Sequence, residues 1–402
     1  MRILVAEDER ITRVSLIRQL ERWGHEVTAA EDGQRAWELF VSDQFDIVLT
    51  DWEMPRLSGV ELIERIRGGR NGAAGFVYVV MLTSRSDKSD VVRGIEAGAD
   101  DFLAKPFDQE ELRVRLFAGE RIVRLERTLQ SQNAELRSAG ERMRRDLHAA
   151  ARVQRAMLPH DVIVTPHVRT AWTYVPTDEL AGDALGLHLV DDRYLVFYLA
   201  DVSGHGVPAA LLAVTAMHEL TPQSEGACLL RDDASAPGAV GTVRAPARAV
   251  SEINRRFTSG EHDGRYLTLV LCVLDTYEGR LHFTSAGHFN PLLLRGTDVI
   301  PLADAGGLPL ALVPDAEYDD ASIQLDSGDR VYLYSDGIIE QFDRAGAEQF
   351  GLQRFVTALT TCRDSALERG TAQVVDQLGQ WSGSKSFTDD VSLVAIEWLG
   401  TG

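Results

Sequence analysis

The chain has few cysteines: its 402 residues include only Cys228, Cys272 and Cys362. No two of them form a Cys-x-x-Cys pair, and they lie far apart in the sequence. This spacing excludes a zinc ribbon and a disulfide framework, both of which need closely grouped thiols. The cysteines are typical of small buried side chains in a protein of a reducing compartment.

The chain also has fewer basic than acidic residues: it contains 41 Lys and Arg and 61 Asp and Glu, which gives a formal net charge of -20. Nucleic-acid binding depends on neutralising phosphates with Lys and Arg, so this balance argues against a nucleic-acid partner. No apolar run approaches the roughly 20 residues that a membrane-spanning helix needs. Acidic residues appear as early as Glu7 and Asp8, too soon for a secretory signal. We therefore expect a cytoplasmic protein with no nucleic-acid partner and no membrane partner.

What the sequence does have, in residues 1–120, is a regular alternation of short apolar runs and amphipathic stretches. Unbroken apolar strands separated by helices predict an α/β domain, a doubly wound five-stranded parallel sheet covered on both faces. In such a sheet the functional site lies at the carboxyl ends of the strands. The predicted strands are Ile3–Ala6, Val27–Ala30, Ile47–Thr50, Val77–Leu82 and Phe102–Ala104.

Polar residues follow these strands directly, so we expect them to meet at one edge of the sheet. Grouped acids can hold Mg²⁺, a lysine supplies positive charge for a phosphoryl oxygen, and a threonine supplies a hydroxyl donor. Asp51 is placed to act as a carboxylate nucleophile that forms an aspartyl-phosphate. One such residue alone is often only a solvated cap, but the whole ordered set favours a phosphoryl-accepting site. The set consists of Glu7, Asp8, Asp51, Thr83 and Lys105.

These residues give the segment a resemblance to the receiver domains of two-component response regulators. The resemblance implies that a cognate histidine kinase phosphorylates Asp51. It also implies a Mg²⁺ ion held by Asp8, Asp51 and the backbone carbonyl of Glu53, with Glu7 reached through water, and a cis peptide bond before Pro106. The matching motifs are Glu7-Asp8, Asp51-Trp52-Glu53-Met54-Pro55, Thr83 and Lys105-Pro106.

The same resemblance identifies Thr83, Lys105 and Phe102 as residues of the receiver switch. Phe102 falls where the family places its aromatic switch residue. A phenylalanine at a strand end is equally compatible with an ordinary core position. The sequence leaves both interpretations of Phe102 open.

From Asp108 to Pro159 the chain is highly charged and nearly free of helix breakers. Apolar residues recur every seven positions, which predicts a helical coiled-coil linker over residues 121–158. A single long helix packed on its own domains is the alternative, and we favour a parallel homodimer formed through this helix. The heptad residues are Ile122, Leu129, Leu136, Met143, Ala150 and Met157, with Leu125, Ala139 and Val153 three residues on.

Residues 159–402 carry mostly consecutive strand patterns, together with several helical patterns. This arrangement predicts an α+β fold in which sheets pack together with helices outside. The stretch from Thr221 to Ala245 has no clear periodicity and predicts a surface loop. The predicted strands are Val168–Val175, Tyr194–Ala200, Tyr266–Leu274, Leu281–Ala286, Arg330–Tyr334 and Val391–Trp398, and the predicted helices are Val207–Leu220, Ala247–Phe257, Leu352–Leu359 and Ala366–Leu378.

Four aspartates in this half each lie at the end of a strand pattern or in a short turn. A glycine beside an acid lets metal, water and phosphate approach the backbone closely. Brought together by a fold, the four would form an all-oxygen site for two divalent ions, a tool for phosphate chemistry. His205 and His288 do not predict a zinc site, since no third imidazole or thiolate accompanies them. The aspartates are Asp183, Asp201, Asp336 and Asp389.

The order and spacing of these motifs resemble the metal-dependent PPM (PP2C-like) serine/threonine phosphatases, in the SpoIIE/RsbU-type bacterial branch. The resemblance implies an αββα sandwich and direct attack of water on a phosphoserine. The segment Val153–Pro159 also resembles the stretch that leads into such domains. The motifs are Gly182-Asp183, Asp201-Val202-Ser203-Gly204-His205-Gly206, Ala286-Gly287-His288, Leu333-Tyr334-Ser335-Asp336-Gly337, Glu340 and Asp389-Asp390.

The resemblance further implies two Mn²⁺ or Mg²⁺ ions in this domain. Asp201 would bridge both ions. Asp183 and the carbonyl of Val202 would bind one ion, and Asp336 and Asp389 the other. The residues expected to support these ligands without binding metal are Asp390 and His205.

The first motif departs from the family pattern. Relatives continue it as Gly-Gly-Asp, two aromatics and a second Asp, whereas this chain reads Ala181-Gly182-Asp183-Ala184-Leu185-Gly186. We expect a response regulator whose phosphorylation controls a protein serine/threonine phosphatase. The resemblance points to a phosphorylated STAS-type anti-sigma-factor antagonist as the substrate. The alternative is a catalytically weak or inactive phosphatase-like adaptor that binds a signalling partner under receiver control.

Overall fold

The fold is described from a computed structural model of the chain. The described residues are 1–68, 76–84, 88–190, 192–221, 243–258, 264–303, 305–384 and 386–401, with only the backbone of residues 88–91. Cys228 and most of the predicted loop from Thr221 to Ala245 lie outside them. The chain divides into two compact units, Met1–Arg142 and Met143–Gly402.

The first unit contains a five-stranded sheet in the order β2-β1-β3-β4-β5, and every neighbouring pair of strands is parallel. The predicted doubly wound parallel sheet is therefore confirmed. Its strands are β1 Arg2–Ala6, β2 Glu26–Ala30, β3 Ile47–Asp51, β4 Tyr78–Thr83 and β5 Asp101–Ala104. The helices are α1 Arg10–Arg22, α2 Gly33–Ser42, α3 Gly59–Gly68, α4 Lys88–Glu96 and the start of α5 Gln109–Arg155.

Both faces of this sheet are buried because successive strand residues point to opposite sides. Leu4 and Val48 pack on one face, in a cluster with Ile63 of α3. Ile3 and Leu49 pack on the other face, in a cluster with α1 and the beginning of α5. The apolar runs of the sequence thus become strands covered by helices on both sides.

The helix α5 is 47 residues long and contains nearly all of the predicted heptad. Its first turns belong to the core of the first unit, where Leu112 and Val123 are buried. Further along, the heptad side chains of Leu129, Leu136 and Met143 are 53%, 70% and 64% exposed. A single long helix is confirmed, while its pairing with a second chain stays a prediction. The predicted domain boundaries at residues 120 and 158 likewise stay predictions.

The second unit contains two five-stranded sheets built from antiparallel pairs, in the orders β13-β10-β9-β8-β7 and β12-β11-β14-β15-β6. Its strands are β6 Val168–Val175, β7 Ala184–Val190, β8 Tyr194–Val202, β9 Leu267–Asp275, β10 Arg280–Ala286, β11 Leu292–Arg295, β12 Asp298–Pro301, β13 Ala321–Gln324, β14 Arg330–Tyr334 and β15 Val391–Trp398. The helices are α6 Val207–Glu219, α7 Pro246–Thr258, α8 Asp336–Ile339, α9 Gly351–Thr361 and α10 Leu367–Ser382.

The two sheets pack face to face, since one apolar cluster joins Phe197 and Leu271 of the first sheet to Leu333 and Ile396 of the second. Residues of α6 and α7 belong to the same cluster on the side of the first sheet. A second cluster packs α9 and α10 on the outer face of the second sheet. The predicted αββα sandwich is confirmed.

Among the described residues, no helix combines the length and the apolar character needed to cross a membrane.

Candidate functional site

At the carboxyl edge of the parallel sheet, Glu7, Asp8 and Asp51 each offer a carboxylate oxygen within 4.8 Å of the others. The first two follow β1 and the third ends β3, so the sheet topology brings them together as predicted. Glu7 is fully buried, and its Oε1 has no hydrogen-bond partner. Burial raises the pKa of Glu7, Lys105 opposes this, and Asp51 adds to it. A divalent cation fits here, because it would satisfy an unpaired buried oxygen.

Lys105 joins the two sides of this acidic cluster. Its Nζ lies 2.7 Å from Glu7 Oε2 and 2.8 Å from Asp51 Oδ2. Burial acts to lower the pKa of Lys105, but its hydrogen bonds with Asp51 and Glu7 outweigh burial and raise it. The Lys105–Pro106 peptide bond is cis, as predicted. The ammonium therefore stays charged beside the proposed phosphoryl acceptor.

The other predicted receiver residues lie near this edge or just beyond it. Thr83 is buried at the end of β4, and its carbonyl accepts a hydrogen bond from the N–H of Lys105 at 2.6 Å. Phe102 is half-buried on β5, with the guanidinium of Arg115 5.7 Å from its ring centroid. Glu53 is exposed in the loop after β3.

Arg13 is a functional candidate that the sequence analysis missed. Its Nη1 donates to the backbone carbonyls of Glu7 at 2.7 Å and Asp8 at 2.9 Å. This guanidinium fixes the backbone of the acidic pair from the first turns of α1. The signal available in the sequence was only an arginine five residues after the pair, which many helices carry.

In the second unit, a cavity of about 600 Å³ collects the acidic motifs. Asp201 comes from the end of β8, Asp336 from the start of α8 after β14, and Asp389 from the turn before β15. Gly182 also lines the cavity, and the next residue, Asp183, is almost fully buried. Both sheets therefore supply acids to one end of the sandwich.

Two glycines let these segments approach closely. A side chain at Gly337 would meet the backbone oxygen of Asp390 at 2.1 Å, so the turn that carries Asp336 lies directly against the Asp389-Asp390 turn. A side chain at Gly182 would lie 3.3 Å from the carbonyl oxygen of Val202. The glycines of the motifs thus bring acids that are distant in sequence into one site.

The acids strongly perturb one another. Burial, followed by the charges of Asp336 and Asp389, raises the pKa of Asp201 to about 7. Burial and Asp389 raise the pKa of Asp336 to about 6. For Asp183, burial and then the charge of Asp201 raise the pKa well above its usual range. Carboxylates held together in a buried site favour a bound cation that offsets their repulsion.

One buried atom gives an independent test of whether the residues fit a metal. Asp183 Oδ2 is buried and has no hydrogen-bond partner within normal geometry, while the hydroxyls of Ser392 and Ser335 beside the carboxylate act to lower its pKa. An unpaired carboxylate oxygen is costly inside a protein unless a cation or donor satisfies it. The donor set is entirely oxygen, which suits Mg²⁺ or Mn²⁺. The donor chemistry of these residues therefore suits the divalent ions that the sequence implied.

Asp390 holds the loop that carries Asp183. Its Oδ2 accepts hydrogen bonds from the N–H of Gly182 at 2.8 Å and of Asp183 at 3.4 Å. Its Oδ1 accepts from the N–H of Thr177 at 2.8 Å. A carboxylate occupied with three backbone donors is suited to orienting a neighbouring ligand.

Gln154, near the end of α5, is a second residue whose role the sequence analysis missed. Its Nε2 donates to the carbonyl of Ala181 at 2.7 Å, and its Oε1 accepts from the N–H of Ala181 at 3.2 Å. Gln154 is buried, in a region where Ala151 packs with Leu180. The linker helix is therefore hydrogen-bonded to Ala181, two positions before Asp183.

The departure from the family pattern after Asp183 lies in the core. Ala184 and Leu185 are fully buried on β7 and do not line the cavity. A side chain at Gly186 would meet the ring of Tyr198 at 2.4 Å, so Tyr198 fills the space of the missing second acid. The residues that depart from the family pattern therefore pack in the core next to Asp183 and do not line the cavity.

The two histidines of the motifs occupy different environments. His205 is exposed on the cavity wall. His288 places Nδ1 2.8 Å from Thr268 Oγ1, and burial lowers its pKa to about 4. Thr268 Oγ1 also lies 3.3 Å from the carbonyl of Asp201. A neutral His288 thus supports the strand pair that carries Asp201.

Curated relatives resemble the first unit. The response regulator MprA of Mycolicibacterium vanbaalenii is 42% identical over 118 residues, which is 29% of this chain and 49% of MprA. The uncharacterized transcriptional regulatory protein YrkP of Bacillus subtilis is 43% identical over 117 residues, 29% of this chain and 48% of YrkP. The chain thus spans about half the length of the curated relatives it matches.

A solved structure resembles the second unit. The SiaA-PP2C domain of Pseudomonas aeruginosa superposes with a TM-score of 0.52 at 21% identity, over 64% of this chain and 98% of that domain. At this identity the likeness shows a shared fold.

Two family models match the chain. The response regulator receiver domain matches residues 3–117. Stage II sporulation protein E (SpoIIE) matches residues 191–399, more than half of the chain. The chain therefore belongs to the family of stage II sporulation protein E, with a response-regulator receiver domain preceding that match.

Proposed function

We propose that this protein is a response regulator whose output is a metal-dependent protein serine/threonine phosphatase. The observation that carries the proposal is the meeting of Asp201, Asp336 and Asp389 in one cavity, next to the unpaired buried oxygen of Asp183. Family membership supports the reaction class, and the raised pKa values of Asp201 and Asp336 support a site built for cations.

The proposed ligands are those that the family resemblance implies. Asp201 would be shared between two ions, Asp183 and the carbonyl of Val202 would serve one, and Asp336 and Asp389 the other. When bound, two such ions lower the pKa of a water molecule and clamp a phosphate for in-line attack. Asp390 keeps the Asp183 loop in place through its backbone hydrogen bonds. His205, on the cavity wall, is free to face the substrate side of the site.

In the receiver, we assign Asp51 as the phosphoryl acceptor. Its carboxylate oxygen would attack the phosphorus of a phosphohistidine on a cognate kinase, and the phosphorus–nitrogen bond would break. Mg²⁺ at Glu7, Asp8, Asp51 and the Glu53 carbonyl would offset the phosphoryl charge. Lys105 Nζ, already 2.8 Å from Asp51 Oδ2, would pair with a phosphoryl oxygen. Thr83 and Phe102 would respond to the phosphorylated state.

The linker would transmit this response as a parallel coiled-coil dimer. Its exposed heptad row supports the dimer, because an unpaired apolar stripe on a charged helix is typical of a coiled-coil surface. The hydrogen bonds of Gln154 with Ala181 supply a direct route from the helix to the Asp183 loop. A change in helix geometry would then alter the position of Asp183.

For the substrate, we propose a cytoplasmic phosphoserine or phosphothreonine protein of the STAS-type anti-sigma-factor antagonists. Membership of the SpoIIE family supports this choice. Dephosphorylation would let the antagonist capture an anti-sigma kinase and release a sigma factor.

The test is hydrolysis of p-nitrophenyl phosphate and of a phosphorylated STAS protein by the full chain, with Mn²⁺, Mg²⁺ or EDTA. We expect metal-dependent hydrolysis that Asp201→Asn abolishes, while Asp364→Asn, an exposed acid outside the cavity, retains it. Metal binding and partner binding without hydrolysis would support the adaptor alternative and contradict the phosphatase.

A further inference from the structure

Two half-exposed aromatic side chains stand on the wall of the acidic cavity. Tyr266 is 39% exposed and Phe289 is 38% exposed, and both line the cavity. Among the described residues, the lining contains no Lys or Arg, while the exposed Asp178 lies on its wall. A substrate segment bound beside its phosphate therefore meets exposed aromatic and acidic side chains on this wall, and no cationic side chain of the described lining.

Tyr266 is fixed to the turn that carries Asp201. The N–H of Ser203 donates to the carbonyl of Tyr266 at 2.9 Å, and the N–H of Tyr266 donates to Ser203 Oγ at 2.9 Å. Ser203 follows Asp201 by two residues. The backbone of Tyr266 thus keeps a constant position relative to the acids.

Phe289 lies in the loop before β11 and is held by stacking on a ring of the second sheet. Its ring stacks on Tyr334, with centroids 5.4 Å apart and planes inclined by 15°. Tyr334 is buried against Phe355, at 4.9 Å, and precedes Asp336 by two residues. A ring supported by a buried ring loses little conformational freedom when a ligand binds.

Another exposed apolar residue lies on the segment that packs against Gly287, two residues before Phe289. The N–H of Gly287 donates to the carbonyl of Gly307 at 2.9 Å, and Pro309 packs against Gly287. Leu308, between these two positions, is 52% exposed. An exposed apolar residue thus follows Gly307, the hydrogen-bond partner of the cavity-lining Gly287.

We propose that Tyr266 and Phe289 form a substrate-selecting rim that prefers a phosphorylated residue with an apolar neighbour and disfavours an acidic one. This proposal rests on the phosphatase function proposed above. The rim would bury the apolar neighbour, and Asp178 would repel an acidic one. The occupant is thus a phosphoprotein segment with apolar side chains beside the phosphoserine.

The test compares three phosphoserine peptides that differ only in the residue after phosphoserine, which is Leu, Lys or Glu, together with phosphoserine itself. We expect the wild type to prefer the Leu peptide to the Glu peptide by about tenfold in kcat/KM. Phe289→Ala and Tyr266→Ala should raise KM for the Leu peptide by about tenfold with a small change in kcat. The change for phosphoserine should be much smaller.

Phe289→Leu, which keeps apolar bulk, should recover part of the preference. Ile300→Ala, an exposed apolar residue on β12 outside the cavity, should behave as wild type, and thermal melting should show that each variant is folded. Equal hydrolysis of the Leu and Glu peptides by the wild type would overturn the proposal, as would equal losses on the Leu peptide and phosphoserine. Absence of hydrolysis of all four substrates would instead contradict the phosphatase function itself.

Discussion

The carboxylate of Asp390 accepts a hydrogen bond from the backbone N–H of Gly182 at 2.8 Å, across 208 positions of the sequence. This bond ties the turn before the last strand to the loop that carries Asp183. Through this bond Asp390, which we do not assign as a metal ligand, controls the position of Asp183, which we do assign as one. The Asp183 motif, which departs from the family pattern, is therefore held in place by a residue next to β15 of the second sheet.

We expect Asp390→Asn to weaken metal binding without unfolding the protein. The amide loses the negative charge that attracts the Gly182 and Asp183 N–H groups, so Asp183 is held less firmly. Changes in residues that orient metal ligands typically cost about 10–100-fold in affinity or activity. The measurement is the Mn²⁺ concentration for half-maximal activity, together with direct Mn²⁺ titration by calorimetry. An unchanged Mn²⁺ requirement would show that Asp390 does not position Asp183.

The stability of the metal-free protein should depend on pH through the buried acids. The folded-state pKa values of Asp201, about 7, and Asp336, about 6, exceed the ordinary value of 3.8. Groups of this kind contribute stability at low pH that is lost as the pH rises through the folded-state value. In EDTA we expect Tm to fall between pH 5 and pH 8, and Mn²⁺ should remove most of that fall.

Asp201→Asn gives this prediction a sharper form. Removing one charge from the cluster should raise Tm at pH 8 in EDTA by several degrees, at about 2–4 °C per kcal/mol for a domain of this size. The same variant should lose activity, as expected when function requires an unfavourable cluster. If wild type and variant melt alike at pH 5 and at pH 8, the mutual repulsion of these acids is negligible.

Gln154→Ala should remove the hydrogen bonds that join the linker helix to the loop carrying Asp183. It leaves the Ala181 carbonyl and N–H without their buried partner, at a cost of about 1–3 kcal/mol. We expect lower phosphatase activity and loss of any response to receiver phosphorylation. Arg152→Ala, an exposed neighbour on the same helix, is the control. A Gln154→Ala protein that still responds to phosphorylation would exclude this route.

The exposed row of α5 should form the dimer contact. Leu136→Lys places a charge at the predicted seam, and burying such a charge opposite its copy is strongly unfavourable. Sedimentation velocity should show a wild-type dimer and a Leu136→Lys monomer at micromolar concentration. Arg137→Ala, one residue along the helix, should remain dimeric, and a monomeric wild type would rule out the coiled coil.

Local patterns were sufficient to predict most of the fold. The strand from Val391 to Trp398 was predicted with its observed ends because an apolar run between turn signals decides a buried strand. The acids at strand ends were found because parallel strands and known turn chemistry place them predictably. Partners such as Gln154 and Ala181 could not be predicted, because a hydrogen bond over 27 residues depends on how the segments pack.

The Phe289–Tyr334 stack shows the same limit. Phe289 follows a motif histidine and looks in the sequence like an ordinary loop aromatic. Only the pairing of β11 with β14, and the approach of the loop before β11 to Tyr334, turns its ring into a wall of the cavity. Sequence patterns specify which element forms, whereas site walls depend on contacts between elements.

We infer that phosphorylation of Asp51 controls phosphatase activity in the other half of the chain. The direct measurement is the rate of Mn²⁺-dependent dephosphorylation by the full chain with and without beryllofluoride, a mimic of the phosphoryl group, in the wild type and in Asp51→Asn. We expect a rate change of about fivefold or more in the wild type, the usual scale of coupling between sites, and no change in Asp51→Asn. Equal rates in the wild type with and without beryllofluoride, at concentrations shown to saturate the receiver, would exclude control of the phosphatase by Asp51.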